Sequence, residues 1–405
     1  MTQTNVIIGA GQAGGWAAVG MREAGFQGRI VLIGDELWQP YERPPLSKTV
    51  LTAPEEPAVQ YFHAPGRYEA LAIELKPGHY AETIDPARQI VQLRGGESIP
   101  YDQLLLTTGG SARPLPIPGA HHAVLLRTLE DARRIREALG AARRVVCIGA
   151  GVIGLEIASS ARTRGCEVVV LEAAPRPLGR CLAPEAAFFL QRIHEQAGVT
   201  IRTGMVVNAI EQGANGEYHV VCGGNEVFHA DLVVAGVGMR RNLELAAQAG
   251  IKTDNGILVD EFGRTGVPGI FAAGDVAAFQ HPFYQRRLRL EHWRHAQNHG
   301  LAVGKVMAGQ GAPYDDIPWF WTDQHGVNLQ LTGVPDDAAH TIVREDDGRR
   351  FVAVHLAADE TVAGVTAVGS PRDIRAGTAL IRSRRRLDPG VLADPGVSLQ
   401  QLARG

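Results

Sequence analysis

The chain has only four cysteines among 405 residues, Cys147, Cys166, Cys181 and Cys222. They are widely spaced and form no CxxC or zinc-binding pattern, which excludes a disulfide scaffold and a metal ribbon and leaves buried structural thiols. No metal centre is expected. Lys and Arg, 40 together, do not outnumber Asp and Glu, 43, and the net charge is −3. A nucleic-acid partner is therefore excluded, because phosphate binding needs a surplus of positive charge over a broad face. No stretch approaches the roughly 18 apolar residues of a membrane span. Met1 to Thr4 carry no charged leader region ahead of the first strand, so a cytoplasmic protein is expected. Low-complexity tracts and solenoid periods are also missing, and the charged fraction of 20% against 45% hydrophobic residues leaves little room for disorder.

Glycine, in contrast, is abundant at 48 residues, well above the usual share of about 7%. Without a collagen period, the excess implies many tight turns and close backbone approaches. The length suits three domains. The first thirty-six residues read as one βαβ unit: strand Asn5 to Gly9, helix from about Gln12 to Ala24, a Gly25 stop, and strand Arg29 to Gly34, closing on Asp35-Glu36. The pattern returns as strand Arg144 to Gly149, helix Val152 to Arg164, a Gly165 stop, and strand Glu167 to Leu171 ending on Glu172. Between them, the prolines of Ala112 to Gly119 favour extended backbone and mark a crossing between domains. Thr128 then reads as the N-cap of a helix running to about Leu139.

Further on, Asp231 to Gly238 and Gly269 to Asp275 read as strands, the second ending in Gly274-Asp275 before a helix. From about Asp316 the texture becomes Trp-rich and then alternating, with a hairpin expected from Phe351 to Val368 and a basic helix containing Arg382, Arg384, Arg385 and Arg386. The fold class is α/β with two Rossmann-like units and a C-terminal α+β domain. The domains are expected at 1–111 and 236–315 for the first dinucleotide, 112–235 for the second, and 316–405 for the C-terminal domain.

Gly9-Ala10-Gly11-Gln12-Ala13-Gly14 fits GxGxxG between a strand and a helix. The first glycine makes the turn, the second lets the backbone approach a pyrophosphate, and the third lets helix pack on strand. Helix N–H groups then receive the phosphates, and Asp35 or Glu36 supplies the acid for a ribose hydroxyl. Gly149-Ala150-Gly151-Val152-Ile153-Gly154 with Glu172 is a second complete copy. Two bound dinucleotides follow. Glu172 favours NADH over NADPH, because a carboxylate accepts from a free 2′-hydroxyl and repels a 2′-phosphate. Arg176 and Arg180 lie near enough to that strand end to leave NADPH open.

The combination of Pro40-Tyr41-Glu42-Arg43-Pro44-Pro45-Leu46-Ser47-Lys48, the run GAGVIGLE from Gly149 to Glu156, Gly274-Asp275, and Pro318-Trp319-Phe320-Trp321-Thr322-Asp323-Gln324 resembles the NADH-dependent, FAD-containing ferredoxin reductases of bacterial aromatic-ring dioxygenase and haem mono-oxygenase systems, in the pyridine nucleotide-disulfide oxidoreductase superfamily. It spans essentially the whole chain in the same order. The resemblance implies a glutathione-reductase-like fold, FAD on the N-terminal unit, NADH on the central unit, and a C-terminal domain closing over the flavin. It implies Lys48 beside flavin N5 paired with Glu156, and Trp321 as an aromatic wall near the flavin ring. A lysine after a proline turn is ordinarily solvated, a glutamate in a helix ordinarily exposed, and a tryptophan often simply core.

FAD contacts implied by position are Ala13, Asp35, Arg43, Ala81, Arg127, Asp275 and Trp293; on the nicotinamide side, Arg180 and Gly236 join Gly149, Gly151, Val152, Ile153, Gly154 and Glu172. Disulfide reductases of this fold carry a redox cysteine pair where this chain has PPLSK or near the second glycine motif, and thiol-dependent NADH oxidases one cysteine near position 42. Here Glu42-Arg43-Pro44 stands instead, so electrons must leave the flavin for an outside acceptor. The acceptor implied is an acidic iron-sulfur ferredoxin taking one electron at a time and feeding a terminal oxygenase. Arg286, Arg287 and Arg289, or Arg382 and Arg384 to Arg386, could steer it. Alternative readings are a redox-responsive binding protein like the apoptosis-inducing-factor relatives of the fold, or rubredoxin, a quinone or monodehydroascorbate as acceptor.

Overall fold

The computed structural model describes Gln3 to Arg404. The chain forms two compact units, one of residues 1–42, 58–111 and 240–316, the other of 43–57, 112–239 and 317–405.

The elements that position the sites begin with β1 (Thr4–Ile8), α1 (Gln12–Glu23), β2 (Arg29–Ile33), β3 (Ile73–Lys76) and β4 (Gln103–Leu106). The second unit then contributes β5 (Ala123–Leu125), α2 (Leu129–Ala141), β6 (Arg144–Ile148), α3 (Val152–Thr163), β7 (Glu167–Glu172), α4 (Pro184–Gln196) and β8 (Val199–Thr203). A meander of β9 (Val207–Gln212), β10 (Tyr218–Cys222) and β11 (Val227–Ala230) leads into β12 (Leu232–Ala235). The chain returns to the first unit with β13 (Ile270–Ala272) and α5 (Trp293–Met307). It finishes in the second with β14 (Trp319–Gln324), β15 (Val327–Gly333), β16 (His340–Asp346), β17 (Phe351–Leu356), β18 (Val362–Val368) and α6 (Pro371–Ser383).

In the first unit the sheet order is β13-β4-β1-β2-β3, all parallel. Parallel strands covered on both faces need apolar residues at successive positions, and Val6, Ile7, Ile8, Ile30, Val31, Leu32 and Ile33 are all buried. Ile7, Leu32 and Leu105 face a core with Ala17, Met21, Val303 and Met307 of α1 and α5, whereas Val6, Val31 and Leu104 face another with Val91, Ile99 and Phe279. The two helices meet through small residues. A β-carbon on Gly300 would stand 2.2 Å from the Ala13 carbonyl oxygen, and one on Gly304 would stand 2.3 Å from that of Ala17.

The second unit repeats the parallel plan in the order β8-β7-β6-β12-β5. The helix expected from Thr128 forms with a reciprocal capping box, in which the Thr128 hydroxyl accepts from the Asp131 N–H and the Asp131 carboxylate from the Thr128 N–H. This unit also holds the antiparallel sheet β14-β15-β18-β17-β16. The hairpin of β17 and β18 is present, but every residue of both strands is buried, so neither has a solvent face.

Two sequence expectations are corrected. Gly274-Asp275 does not open a helix: it lies in a three-residue 3-10 turn, Gly274–Val276, that runs straight into strand Ala277–His281. The basic helix ends at Ser383, where Arg384 takes a left-handed φ of 51°, so Arg384, Arg385 and Arg386 follow α6 rather than belong to it. No helix among the described residues is long and apolar enough to cross a membrane.

Candidate functional site

Both glycine turns have the shape that a phosphate cradle requires. In the first unit Gly9 has φ +112°, and a β-carbon there would lie 2.3 Å from the Thr107 carbonyl oxygen; one on Gly14 would lie 1.9 Å from that of Gly9. No side chain other than hydrogen fits. Gly11 caps α1 without a side-chain acceptor and the first helical turn carries no acid, so the N–H groups and the positive helix end remain for an anion. Ala13 packs so closely on Gly274 that a β-carbon there would come within 2.7 Å of the Ala13 β-carbon. The Gly-Asp turn that carries Asp275 is thus brought to the start of α1. Asp35 is exposed two residues past β2, Ala81 is buried at the start of strand Ala81–Asp85, and the Trp293 indole N–H donates to Glu42 Oε2 at 2.5 Å. Burial pushes the Glu42 carboxyl up, and the indole donor opposes this.

The second cradle is built the same way. A β-carbon on Gly149, φ +98°, would stand 2.6 Å from the Gly236 carbonyl oxygen, and one on Gly154 would stand 2.0 Å from that of Gly149. Gly151 caps α3 with no side-chain acceptor, Val152 opens the helix, and Ile153 beside it is exposed, an apolar surface next to the helix N-terminus. Glu172 ends β7 with its carboxylate bonded to the N–H groups of Ala150, at 2.7 Å, and Ala174, at 2.8 Å. It is therefore held at the mouth of the glycine turn. Arg176 donates to the carbonyls of Leu182 and Gly179 and so fastens its own loop, whereas Arg180 is exposed with its guanidinium over Gly238.

Lys48 and Glu156 meet. The Lys48 Nζ lies 2.7 Å from Glu156 Oε2, with the lysine side chain 21% and the glutamate 4% exposed. Neither is the solvated surface residue its local sequence would suggest. A carboxylate this deeply buried needs its remaining lone pairs satisfied, and two further residues do so. Ser47 Oγ donates to the same oxygen at 2.5 Å and Thr322 Oγ1 to the other at 2.6 Å. Ser160, one turn beyond Glu156 on α3, anchors the Ser47 carbonyl at 2.7 Å. Arg43 and Arg127 are also brought together, the Arg43 guanidinium donating to the Arg127 carbonyl at 2.8 Å.

The sequence signal for Ser47 and Thr322 lay one residue from positions already singled out. Strand β14 alternates, sending Phe320, Thr322 and Gln324 inward and leaving Trp319, Trp321 and Asp323 partly exposed on the other face. Trp319 and Trp321 stack there at 5.3 Å between centroids, and the Trp321 indole donates to Asp323. Trp321 thus lies on the face opposite the one that touches Glu156. Behind Thr322 the buried contacts continue: Gln324 Nε2 lies 2.8 Å from Thr322 Oγ1, His194 Nε2 lies 2.7 Å from Gln324 Oε1, and His325 Nε2 lies 3.1 Å from His194 Nδ1.

All four cysteines are free thiols, and Cys147, Cys166 and Cys222 are buried. Burial pushes Cys147 up to about 12 and Cys181 up to about 11, the opposite of an activated thiolate. Of the two arginine clusters, the first is partly consumed by the fold. Arg289 pairs with Glu291 at 2.6 Å and Arg287 donates to the carbonyls of Val259 and Ala278. Arg382, Arg384, Arg385 and Arg386 are exposed.

Comparison with known proteins agrees with this construction. A family model for pyridine nucleotide-disulphide oxidoreductases matches residues 3–300, and a reductase C-terminal model matches 319–403. The ferredoxin--NAD(+) reductase component of the p-cumate 2,3-dioxygenase system of Pseudomonas putida is 39% identical over 98% of this chain and 98% of its own. Putidaredoxin reductase of the same species is 36% identical over 98% and 96%. A solved ferredoxin reductase from Rhodopseudomonas palustris superposes with a TM-score of 0.94 at 34% identity, covering 99% of this chain and 100% of that one. The chain belongs to the pyridine nucleotide-disulphide oxidoreductase family, oxidoreductases that use a flavin and NAD(H), and within it to the ferredoxin-reductase branch that carries the reductase C-terminal domain.

Proposed function

We propose that the protein is an FAD-dependent NADH:ferredoxin oxidoreductase that feeds an aromatic-ring dioxygenase or a haem mono-oxygenase. The observation that carries the reading is the pairing of half-buried Lys48 with buried Glu156, completed by Ser47 and Thr322, in a chain whose thiols are free and passivated. A bound flavin would supply the change from two-electron to one-electron transfer. FAD is assigned to the cradle of Gly9, Gly11, Ala13 and Gly14, with Asp35, Arg43, Ala81, Arg127, Asp275 and Trp293 as further contacts. NADH is assigned to Gly149, Gly151, Val152, Ile153, Gly154 and Gly236 with Glu172 and Arg180. The domains are read as 1–111 with 236–315 for FAD, 112–235 for NADH, and 316–405 C-terminal.

In this reading the chain's residues do three things. Helix N-termini without acids receive pyrophosphates, and Glu172 selects against a 2′-phosphate. Lys48 holds positive charge at the reacting edge of the flavin while Glu156 offsets the cost of burying the ammonium. The absence of a redox cysteine pair leaves an external protein as the acceptor. The names of the p-cumate and anthranilate dioxygenase reductase components and of putidaredoxin reductase, and a solved covalent putidaredoxin reductase–putidaredoxin complex at 36% identity and a TM-score of 0.94, support a small iron-sulfur ferredoxin. The exposed arginines 382 and 384 to 386 suit an acidic one.

The test is purification followed by titration with NADH. The protein is expected to be yellow, to be bleached by NADH, and to reduce a dioxygenase-type ferredoxin rapidly. Colourless protein that cannot be reconstituted with FAD would overturn the assignment. Bleaching with no turnover on any ferredoxin, but rapid turnover on a quinone or on monodehydroascorbate, would keep the donor half and replace the acceptor.

A further inference from the structure

Among the described residues, three metal-ligating side chains converge at one place, Glu217, His219 and His229, on the meander of the second unit. The convergence follows from strand geometry. Glu217 and His219 are two residues apart and share a face of the strand, and β10 pairs with β11 so that His219 stands directly opposite His229. The hairpin turn fixes the first of them, because the Gly213 N–H donates to the Glu217 carbonyl at 2.8 Å. Gly213 also leaves the site open: a β-carbon there would lie 3.1 Å from His219 Nε2 and 3.2 Å from Glu217 Cγ.

Glu217 Oε1 lies 3.2 Å from His219 Nε2 and 3.9 Å from His229 Nδ1, and the three donor atoms fall within 4.8 Å of one another. Tetrahedral zinc with bonds near 2.0–2.1 Å sets its donors roughly 3.3 Å apart, so rotamer adjustments that close gaps of at most about 1.5 Å complete the set. The other carboxylate oxygen is already committed. Arg144 donates to Glu217 Oε2 at 2.9 Å and to Asp231 at 2.8 Å, which turns Oε1 toward the imidazoles as outer partners of metal ligands commonly do. Two carboxylates against one guanidinium leave a local charge of −1, favourable to a dication. The side chains are 28%, 29% and 52% exposed, so water can reach the remaining coordination positions.

We propose that Glu217, His219 and His229 form a site for a borderline divalent cation of the zinc class, which ties β10 to β11. Two imidazoles and one carboxylate suit zinc or copper(II), and not magnesium or calcium, which prefer all-oxygen sets. The test uses the whole purified protein stripped with a chelator and titrated with zinc by calorimetry, with copper(II) as a spectroscopic probe. One zinc per chain is expected, and electron paramagnetic resonance of the copper form should show coupling to two nitrogens. His219→Ala and His229→Ala should each leave one coupled nitrogen. His121→Ala with His122→Ala, on neighbouring surface, should change nothing. Absence of saturable zinc uptake overturns the proposal, as does uptake that survives loss of both His219 and His229.

Discussion

His194 on α4 and Gln324 at the end of β14 meet at 2.7 Å, both fully buried, and their contact fixes the direction of every hydrogen bond between His325 and Glu156. The Glu156 carboxylate only accepts, so Thr322 must donate to it and must itself receive from the Gln324 amide. Gln324 then presents its oxygen to His194, which must carry its proton on Nε2. Burial lowers His194 to about 4, so the ring is neutral, Nδ1 accepts, and His325 Nε2 donates. Four donors in series point at one anion, an arrangement in which each bond polarises the next. Gln324→Leu is therefore predicted to act through Glu156 and not only on folding. It removes the donor to Thr322 and should slow NADH-driven electron transfer by more than the accompanying fall in melting temperature explains. An unchanged rate in a merely destabilised protein would reduce the chain to core packing.

Lys48→Met should cost more stability than Glu156→Gln, by about 2 kcal/mol, because it strands an anion that is only 4% exposed. The double variant should recover part of the loss, since the uncompensated charge is gone. Urea unfolding of the three variants measures this directly. Equal costs for both single variants would mean that the hydroxyls of Ser47 and Thr322 suffice to hold the charge.

Acid should unfold the protein through its buried histidines. Burial lowers His194 and His355 to about 4 and His299 to about 3, while the same residues in the unfolded chain titrate near 6.5. The unfolded state thus binds more protons between those values. Stability is full above about pH 6.5 and falls as pH drops toward 4, by about 1 kcal/mol per pH unit for each histidine that stays neutral in the fold. Unfolding free energies measured from pH 7.5 to 4.5 should slope accordingly, and His355→Asn should flatten the slope by one proton. A pH-independent stability above pH 5 would show that the buried rings take up protons without unfolding.

The close approach of α1 and α5 gives a prediction about packing. Gly300→Val places three carbons where the first already stands 2.2 Å from the Ala13 carbonyl oxygen. The helices must part, which displaces Ala13 in the first glycine turn. A melting temperature lowered by at least several degrees and loss of bound flavin are expected together. Retained flavin in a destabilised protein would mean that the turn tolerates the movement.

The parts of this molecule written in local sequence were legible there. A strand, a GxGxxG turn and a helix with its glycine stop are encoded within thirty residues, and both copies form within a residue or two of the expected bounds. The environment of Glu156 was not written locally. Its partners Ser47 and Thr322 lie 109 and 166 positions away, and no periodicity reports a contact made by tertiary folding. Lys48 and Glu156 were paired only through resemblance. The basic helix was overextended because no glycine marks its end; Arg384 takes the left-handed position that glycine usually supplies. Gly274-Asp275 looked like a helix start because glycine before an acid commonly is one, and here a tight turn into a strand uses the same pair.

Glu172 supplies the sharpest test of nucleotide choice. Its carboxylate accepts from the Ala150 N–H inside the glycine turn and from the Ala174 N–H beyond the strand, so it is held in place by backbone before any ribose arrives. Two backbone donors also fix its orientation, and a carboxylate at that point repels a 2′-phosphate. Glu172→Ala should raise the KM for NADH about tenfold while lowering that for NADPH, with kcat little changed, because the residue binds ground state and transition state alike. Arg176 fastens its own loop, so Arg180, exposed over Gly238, is the cation left to meet the phosphate. Adding Arg180→Ala to the variant should remove the gain for NADPH. Unchanged discrimination in the single variant would take the selecting role away from Glu172.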